Sequence, residues 1–274
     1  MNTNSQAKIL NIQFCPKIGD KMYNCNRIGQ MICDNSKDGL DLVILPEFFS
    51  TGIDDRSFIG QPEEENTSAV LAYFSQLARQ FSTNIICGTV IEKAKDGKLY
   101  NTSYALDRKG SIVAKYRKIH LYNYFGGNEG KNICPGDTPV VVNFDFARVG
   151  MSVCFDIRYP LLYKKLIKMG AEIIVSPSAW CTLSSTGEDD IADFINCWRA
   201  FNVSRAAENL VYFVTSNLIG TSNPFLYSIG NSMITNPLGK ILANGQNTEN
   251  AIFENLNMTL VRKLKKEYPI YNLD

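Results

Sequence analysis

A single histidine, His120, stands in 274 residues, and that scarcity excludes much chemistry. Metal centres built from several histidines cannot be assembled, and any Ser-His-Asp or Cys-His enzyme would have to use this one residue. The cysteines Cys15, Cys25, Cys33, Cys87, Cys134, Cys154, Cys181 and Cys197 contain no C-x-x-C pair. This argues against a zinc knuckle, an iron–sulfur site or a thioredoxin-like dithiol, and most of the eight read as small core residues. Apolar runs such as Leu42 to Leu45 and Ile173 to Val175 fall far short of the roughly 20 residues that span a bilayer. Neither sign of charge is in excess: 28 Lys and Arg against 27 Asp and Glu leave a net charge of +1. The chain therefore has no general electrostatic pull toward nucleic acid or an anionic membrane. The opening text MNTNSQAKILNIQF lacks the basic start and long apolar stretch of a secretory signal, so the expected location is the cytoplasm. Catalysis in such a chain falls to carboxylates, lysine or thiolate.

What is present suits a globular α/β protein: 45% of residues are hydrophobic, 20% charged and 11% aromatic, enough to bury a large core. Periodicity predicts a strand over 8–14, a helix around 21–33 and a strand over 41–45 that runs into Pro46-Glu47. A helix over 68–81, a strand over 84–90 and a hairpin follow, the hairpin reading NTSYAL, DRKG, SIVAKY. The second half repeats this order with strand 148–153, helix 161–169, strand 172–176 ending in Pro177, helix 191–208, strand 211–217 and a hairpin NSMIT, NPLG, KILA. Pro46 and Pro177 lie 131 residues apart, and Gly110 and Gly239 lie 129 apart. The expectation is an α-β-β-α sandwich of two mixed sheets related by a pseudo-twofold, forming one domain over residues 1–274. A generic likeness between short apolar strands is the alternative. The charge-rich stretch 260–267, LVRKLKKE, reads as a solvated helix face.

Ligands and catalytic groups in α/β folds gather at the carboxyl ends of strands, and three reactive residues are expected there. Glu47 ends DLVILPE, Lys118 follows SIVAKYRK, and Cys154 ends RVGMSVC just before a helix. A thiol at a strand-to-helix turn is well placed as an acyl-transfer nucleophile, because the backbone N–H groups of the next turn face whatever it attacks. Singly, each has an ordinary alternative: a capping carboxylate, a solvated lysine, a core cysteine. Together they resemble the nitrilase superfamily of carbon–nitrogen hydrolases, whose Glu-Lys-Cys triad is matched by LVILPEFFSTG, KYRKIHLYNYFGGNEG and VGMSVCFDIRYP. Further matching text is GNEGKNICPGD, WRAFNVSRAAEN and IGNSMITNPLGK, so the resemblance covers nearly the whole chain.

The resemblance implies the four-layer α-β-β-α fold and a set of roles. Cys154 is the implied nucleophile, Glu47 the general base, and Lys118 with the Phe155 backbone N–H the stabiliser of the tetrahedral oxyanion. Glu129, six residues before Pro135, is the implied second glutamate that orients Lys118 and the substrate amide. His120 is expected to hold its loop. No cofactor or metal is implied, and the partners implied are a small-molecule amide and further copies of the chain in a homodimer or larger even assembly. CFDIRYP and PEFFSTG resemble the amidases related to ω-amidase and the Nit proteins and differ from the CWEN text of true nitrilases. That branch implies dicarboxylate monoamides such as α-ketoacid amides. Leu161 after Pro160, Cys197 before Trp198 and the stretch SPSAWCTLSSTGEDD depart from ω-amidase text, which leaves an N-carbamoyl amidohydrolase open. A catalytically silent, metabolite-binding member is the reading from another class. Arg158 is a candidate for a substrate carboxylate, with a structural ion pair as its alternative. Phe49, Phe125 and Trp180 follow motif strands and are candidates for the pocket wall, with core or dimer packing as theirs.

Overall fold

Period-2 alternation along the first strands decides where the cores lie. In β1 (Gln6–Gln13), Leu10 and Ile12 pack with helices α1 (Lys21–Asn35) and α2 (Ala69–Phe81), whereas Ala7 and Ile9 face a second core shared with the other half of the chain. β2 (Leu42–Ile44) alternates likewise, Val43 toward the helices and Leu42 and Ile44 toward the second core. The helix sequences supply the matching stripe: Val70, Leu71, Phe74, Leu77 and Ala78 are the buried positions of α2, at the three-to-four-residue spacing of one helical face. The Ser68 hydroxyl accepts the Leu71 N–H at 3.0 Å and starts that helix. The structure is a computed structural model that describes residues 5–54, 59–124 and 127–270. Phe125 lies outside the described residues.

β1 and β2 are joined in a six-stranded sheet by β3 (Asn84–Lys93), β4 (Leu99–Leu106), β5 (Ile112–Arg117) and the late strand β15 (Asn250–Asn257), in the order β15-β1-β2-β3-β4-β5. The second sheet runs β14-β13-β10-β8-β7-β6, from β6 (Val140–Asn143), β7 (Arg148–Met151), β8 (Ile173–Ser178), β10 (Tyr212–Asn217), β13 (Met233–Thr235) and β14 (Ile241–Asn244). The two have one topology. β1, β2 and β3 are parallel neighbours, as are β7, β8 and β10, and each trio is followed by two antiparallel strands, β4–β5 and β13–β14. An antiparallel strand closes the far edge of each, β15 beside β1 and β6 beside β7. The sandwich of two equivalent mixed sheets expected from the sequence is therefore present.

Polar side chains tie the central strands across the sandwich: the Asn11 amide donates to the Thr215 carbonyl at 2.9 Å, and the Ser216 hydroxyl donates to the Ile12 carbonyl. Helices α3 (Pro160–Lys168) and α4 (Glu188–Ala207) follow β7 and β9 (Cys181–Leu183), and α5 (Met258–Glu267) closes the described chain. Five strands were not read from the sequence: β6, β9, β11 (Ile219–Asn223), β12 (Leu226–Ile229) and β15. Of these, β11, β12 and β9 form a small third sheet next to the carboxyl end of β8.

Candidate active site

Glu47 leaves β2 on a turn that the neighbouring strand holds closely. Phe48 has φ +53°, the left-handed region that a bulky residue adopts only when its surroundings impose it. Its N–H donates to the Thr89 hydroxyl at 3.1 Å. Gly88, at φ +29° within the irregular stretch of β3, passes so near that a Cβ there would lie 1.9 Å from the Pro46 carbonyl oxygen. Only glycine permits that approach. Lys118 extends β5: its N–H donates to the Asn101 carbonyl and its own carbonyl accepts the Gly136 N–H, both at 2.8 Å. Cys154 lies three residues beyond β7, at the start of a 3₁₀ turn spanning Cys154–Arg158, with φ +45°. The Asp156 carboxylate closes that turn by accepting the Val153 N–H at 2.8 Å.

These three segments converge. The Lys118 ammonium donates to Glu47 Oε1 at 2.9 Å and to Glu129 Oε2 at 2.9 Å, with side-chain exposures of 2% for Lys118, 1% for Glu47 and 8% for Glu129. The Cys154 thiol lies near enough to the Glu47 carboxylate and the Ala179 N–H for both to act on it. The Tyr122 N–H donates to Glu129 Oε2 at 2.8 Å. Asn101, which the sequence reading did not single out, donates through Nδ2 to Glu47 Oε1 and to Glu129 Oε1, each at 2.8 Å. The one sequence cue that could have found it is an Asn inside a strand, where that residue is disfavoured unless a partner holds it.

Burial and charge set the protonation states. Burial raises the Glu47 carboxyl above its ordinary value, Glu129 adds to that, and Lys118 opposes it. For Lys118, burial pulls the ammonium down, but Glu129 and Glu47 outweigh it and hold the group well above the usual lysine range, as a fixed cation. Burial, then the charge of Glu47, pushes the Cys154 thiol well up, so it rests as a neutral thiol beside a base. Such a thiol becomes a nucleophile by handing its proton to the carboxylate as it attacks.

The remaining candidates separate. Phe155 is buried, with its ring 5.3 Å from Tyr122, 5.5 Å from Tyr124 and 5.8 Å from Tyr159. Trp180 directly follows Ala179 and is buried, yet its indole N–H has no hydrogen-bond partner among the described residues. Arg158 is exposed and makes no ion pair among the described residues, which corrects the alternative of a structural ion pair. Its guanidinium instead lies 4.9 Å from the Phe201 ring centre, 5.0 Å from Trp180 and 5.8 Å from Phe155. Phe49 is not brought to the cluster: it is fully buried on the helix side of the first sheet, edge-on to Phe74 at 5.3 Å. Regular strand alternation would put residues 47 and 49 on one face; the chain instead turns after β2, with Phe48 left-handed between them, and their side chains part. His120 also lies apart from the cluster. Its N–H and Nδ1 bond Asp156 Oδ1 at 3.0 and 2.7 Å, and its ring stacks on Tyr159 at 3.6 Å. Asp156 accepts the Tyr116 hydroxyl as well, at 2.7 Å, so it pins the end of β5 and the loop after it to the Cys154 turn.

Residues 8–266 match the family described as carbon-nitrogen hydrolase. The chain is 27% identical over 278 residues to Omega-amidase NIT3 of Saccharomyces cerevisiae, covering 97% of this chain and 92% of that protein. It is 26% identical over 259 residues to Omega-amidase NIT2 of Homo sapiens, covering 92% of this chain and 89% of that protein. Among solved structures, Saccharomyces cerevisiae Nit3, described as a member of branch 10 of the nitrilase superfamily, matches with a TM-score of 0.86 over 98% of this chain and 97% of that one. At 24% identity this is a likeness of fold.

Proposed function

Because the chain belongs to the carbon-nitrogen hydrolase family, we propose that it is an amidase that releases ammonia from small dicarboxylate monoamides through a thioester on Cys154. The observation that carries this reading is the buried Cys154 thiol on the Glu47 carboxylate, with Lys118 held 2.9 Å from that carboxylate. Cys154 sulfur attacks the amide carbonyl while Glu47 takes the thiol proton. The developing oxyanion is stabilised by the Lys118 ammonium and the Phe155 N–H, an arrangement in which each donor is worth about 2.7–4 kcal/mol of barrier. The C–N bond breaks as Glu47 returns the proton to the departing nitrogen, and ammonia leaves. Water then attacks the thioester with Glu47 as base, and the thiol is restored as the acid product departs. A carboxyl raised by burial suits both halves of this cycle, since it lies nearer the pKa of the groups it exchanges protons with. Glu129 keeps Lys118 charged and aimed.

A cation without a carboxylate partner among the described residues supports an acidic substrate. The Arg158 guanidinium lies over the Trp180 ring, 5.0 Å from its centre, close to the Cys154 turn, where a distal carboxylate of the substrate would give it a charged partner. The likeness to proteins named omega-amidase agrees with that class. The proposal extends to one catalytic unit over residues 1–274, working in the cytoplasm as a homodimer or larger even assembly. The test is ammonia release from α-ketoglutaramate, succinamate, an N-carbamoyl amino acid and a simple nitrile, comparing the protein with Cys154→Ala. Release from the two monoamides that disappears in the variant is the expected result. Release from the carbamoyl compound alone reassigns the protein to ureido hydrolysis, and release from none of the four refutes the proposal.

A further inference from the structure

Asn101 is the neutral residue at the centre of a charged cluster. It is fully buried on β4, its backbone carbonyl receives the Lys118 N–H, and its Nδ2 lies 2.8 Å from an oxygen of Glu47 and 2.8 Å from an oxygen of Glu129. A side-chain amide has two N–H donors on one nitrogen, so a single group satisfies one oxygen of each carboxylate. The opposite orientation would set a carbonyl oxygen against two carboxylates, so the neighbouring charges fix which end faces them. The other end, Oδ1, is buried without a hydrogen-bond partner among the described residues. Leaving an acceptor unsatisfied in the interior is unfavourable, and the arrangement persists because the Nδ2 end is held on both sides.

We propose that Asn101 is a positioning residue of the acyl-transfer site: its amide clamps Glu47 and Glu129 together across Lys118 and keeps Glu47 ionised beside the Cys154 thiol. The inference rests on the Cys154 amidase reading. Glu47 is faced by Lys118 from the end of β5, by Glu129 from its 3₁₀ turn and by Cys154 from the turn after β7, while Cys181 on β9 lies within the fields of Glu47 and Lys118. Two carboxylates share one ammonium there, and the charge of Glu129 works against ionised Glu47. A neutral donor bonded to Glu47 favours its ionised form without adding charge. The Asn101 amide hydrogen-bonds Glu47 and Glu129, not the thiol, so its influence on the reaction runs through them.

The test uses Asn101→Asp, which keeps the shape, and Asn101→Ser, whose one short hydroxyl cannot span both carboxylates. Asp in either protonation state raises Glu47: ionised, it adds a like charge, and protonated, it has one donor for two acceptors. The readout is the rate of Cys154 alkylation by iodoacetamide from about pH 5 to 9, followed on the Cys154 peptide by mass spectrometry, beside kcat and KM. The exposed Cys33 and Cys197 are scored on their own peptides. The expected result is that the acid limb moves upward by about one pH unit or more in both variants, and kcat at neutral pH falls about 10- to 100-fold with KM within about threefold. An unmoved limb overturns the proposal, even if kcat or thermal stability falls, because a structural role alone would give that pattern. If the Asp variant does not fold, the Ser variant decides. Alkylation needs no substrate, so a wild-type protein with a normal limb that hydrolyses no amide sinks the functional reading while leaving the Asn101 comparison intact.

Discussion

Replacing Lys118 by Met keeps the volume and strands two buried carboxylates. Each lies 2.9 Å from the ammonium, a gross attraction of about 6 kcal/mol per pair at an effective dielectric near 20, before desolvation is subtracted. Breaking a buried pair by removing one partner costs about 3–5 kcal/mol net, and that is the expected loss of stability at about pH 8. The loss depends on pH with a defined sign. Without Lys118, Glu47 loses the charge that opposes its burial and titrates in the native state still further above its unfolded value, so the native variant binds a proton that the unfolded chain has released. Its stability therefore falls as pH rises from the unfolded carboxyl value to the raised one, by up to about 1.4 kcal/mol per pH unit for each proton. Denaturant unfolding at about pH 5 and pH 8 is the assay, and the variant is expected to approach wild type at the lower pH. Adding Glu129→Gln removes one stranded charge and restores part of the stability at pH 8, while kcat stays about 10²- to 10³-fold below wild type for want of the oxyanion donor. Equal destabilisation at both pH values, or none, refutes the reasoning.

Arg158→Leu is expected to raise KM about tenfold or more for succinamate while leaving a neutral amide such as propionamide nearly unchanged; equal effects on both would remove Arg158 from recognition. Gly88→Ala forces the Pro46 carbonyl aside and is expected to lower kcat at least about tenfold by moving Glu47. Gly97→Ala, at φ +80° with nothing within 4 Å of its Cβ, is the control, costing about 1 kcal/mol of stability with kcat retained. Glu92 is pushed up by burial but drawn down to about 2 by Arg117, Lys115 and Thr102. Its folded value is depressed, so its stabilising effect is present above the unfolded carboxyl value and lost as pH falls toward 2. Glu92→Gln is accordingly expected to cost up to about 3 kcal/mol at neutral pH and to flatten acid unfolding, as read by denaturant titrations across that range.

The fold was legible where the apolar pattern is strong and local. The helix at 68–81 carries its own cap and stripe, and the paired hairpins share turn residues Gly110 and Gly239, both at positive φ. β6, β15 and the small third sheet were not legible, because their pairing is decided by tertiary partners. β15, for example, is exposed at Phe253 and takes its place from β1, over two hundred residues earlier. Among the site residues, Glu47, Lys118, Glu129 and Cys154 were named because each has a reactive group at a strand end or in a motif. Asn101 and Asp156 were missed because a neutral amide in a strand and a carboxylate in a turn carry no chemistry until the fold supplies their partners. Phe49 shows the converse: its motif neighbourhood suggested the pocket, and the turn after β2 sends it into the core.

The central claim is a thioester on Cys154, and it is tested most directly by acid-quenching the protein during turnover of succinamate and reading the mass of the Cys154 peptide. The account requires a succinyl group on that peptide, removable by hydroxylamine and absent from Cys154→Ala. Ammonia release that persists in Cys154→Ala, with no acyl group found on the wild-type peptide, would contradict it.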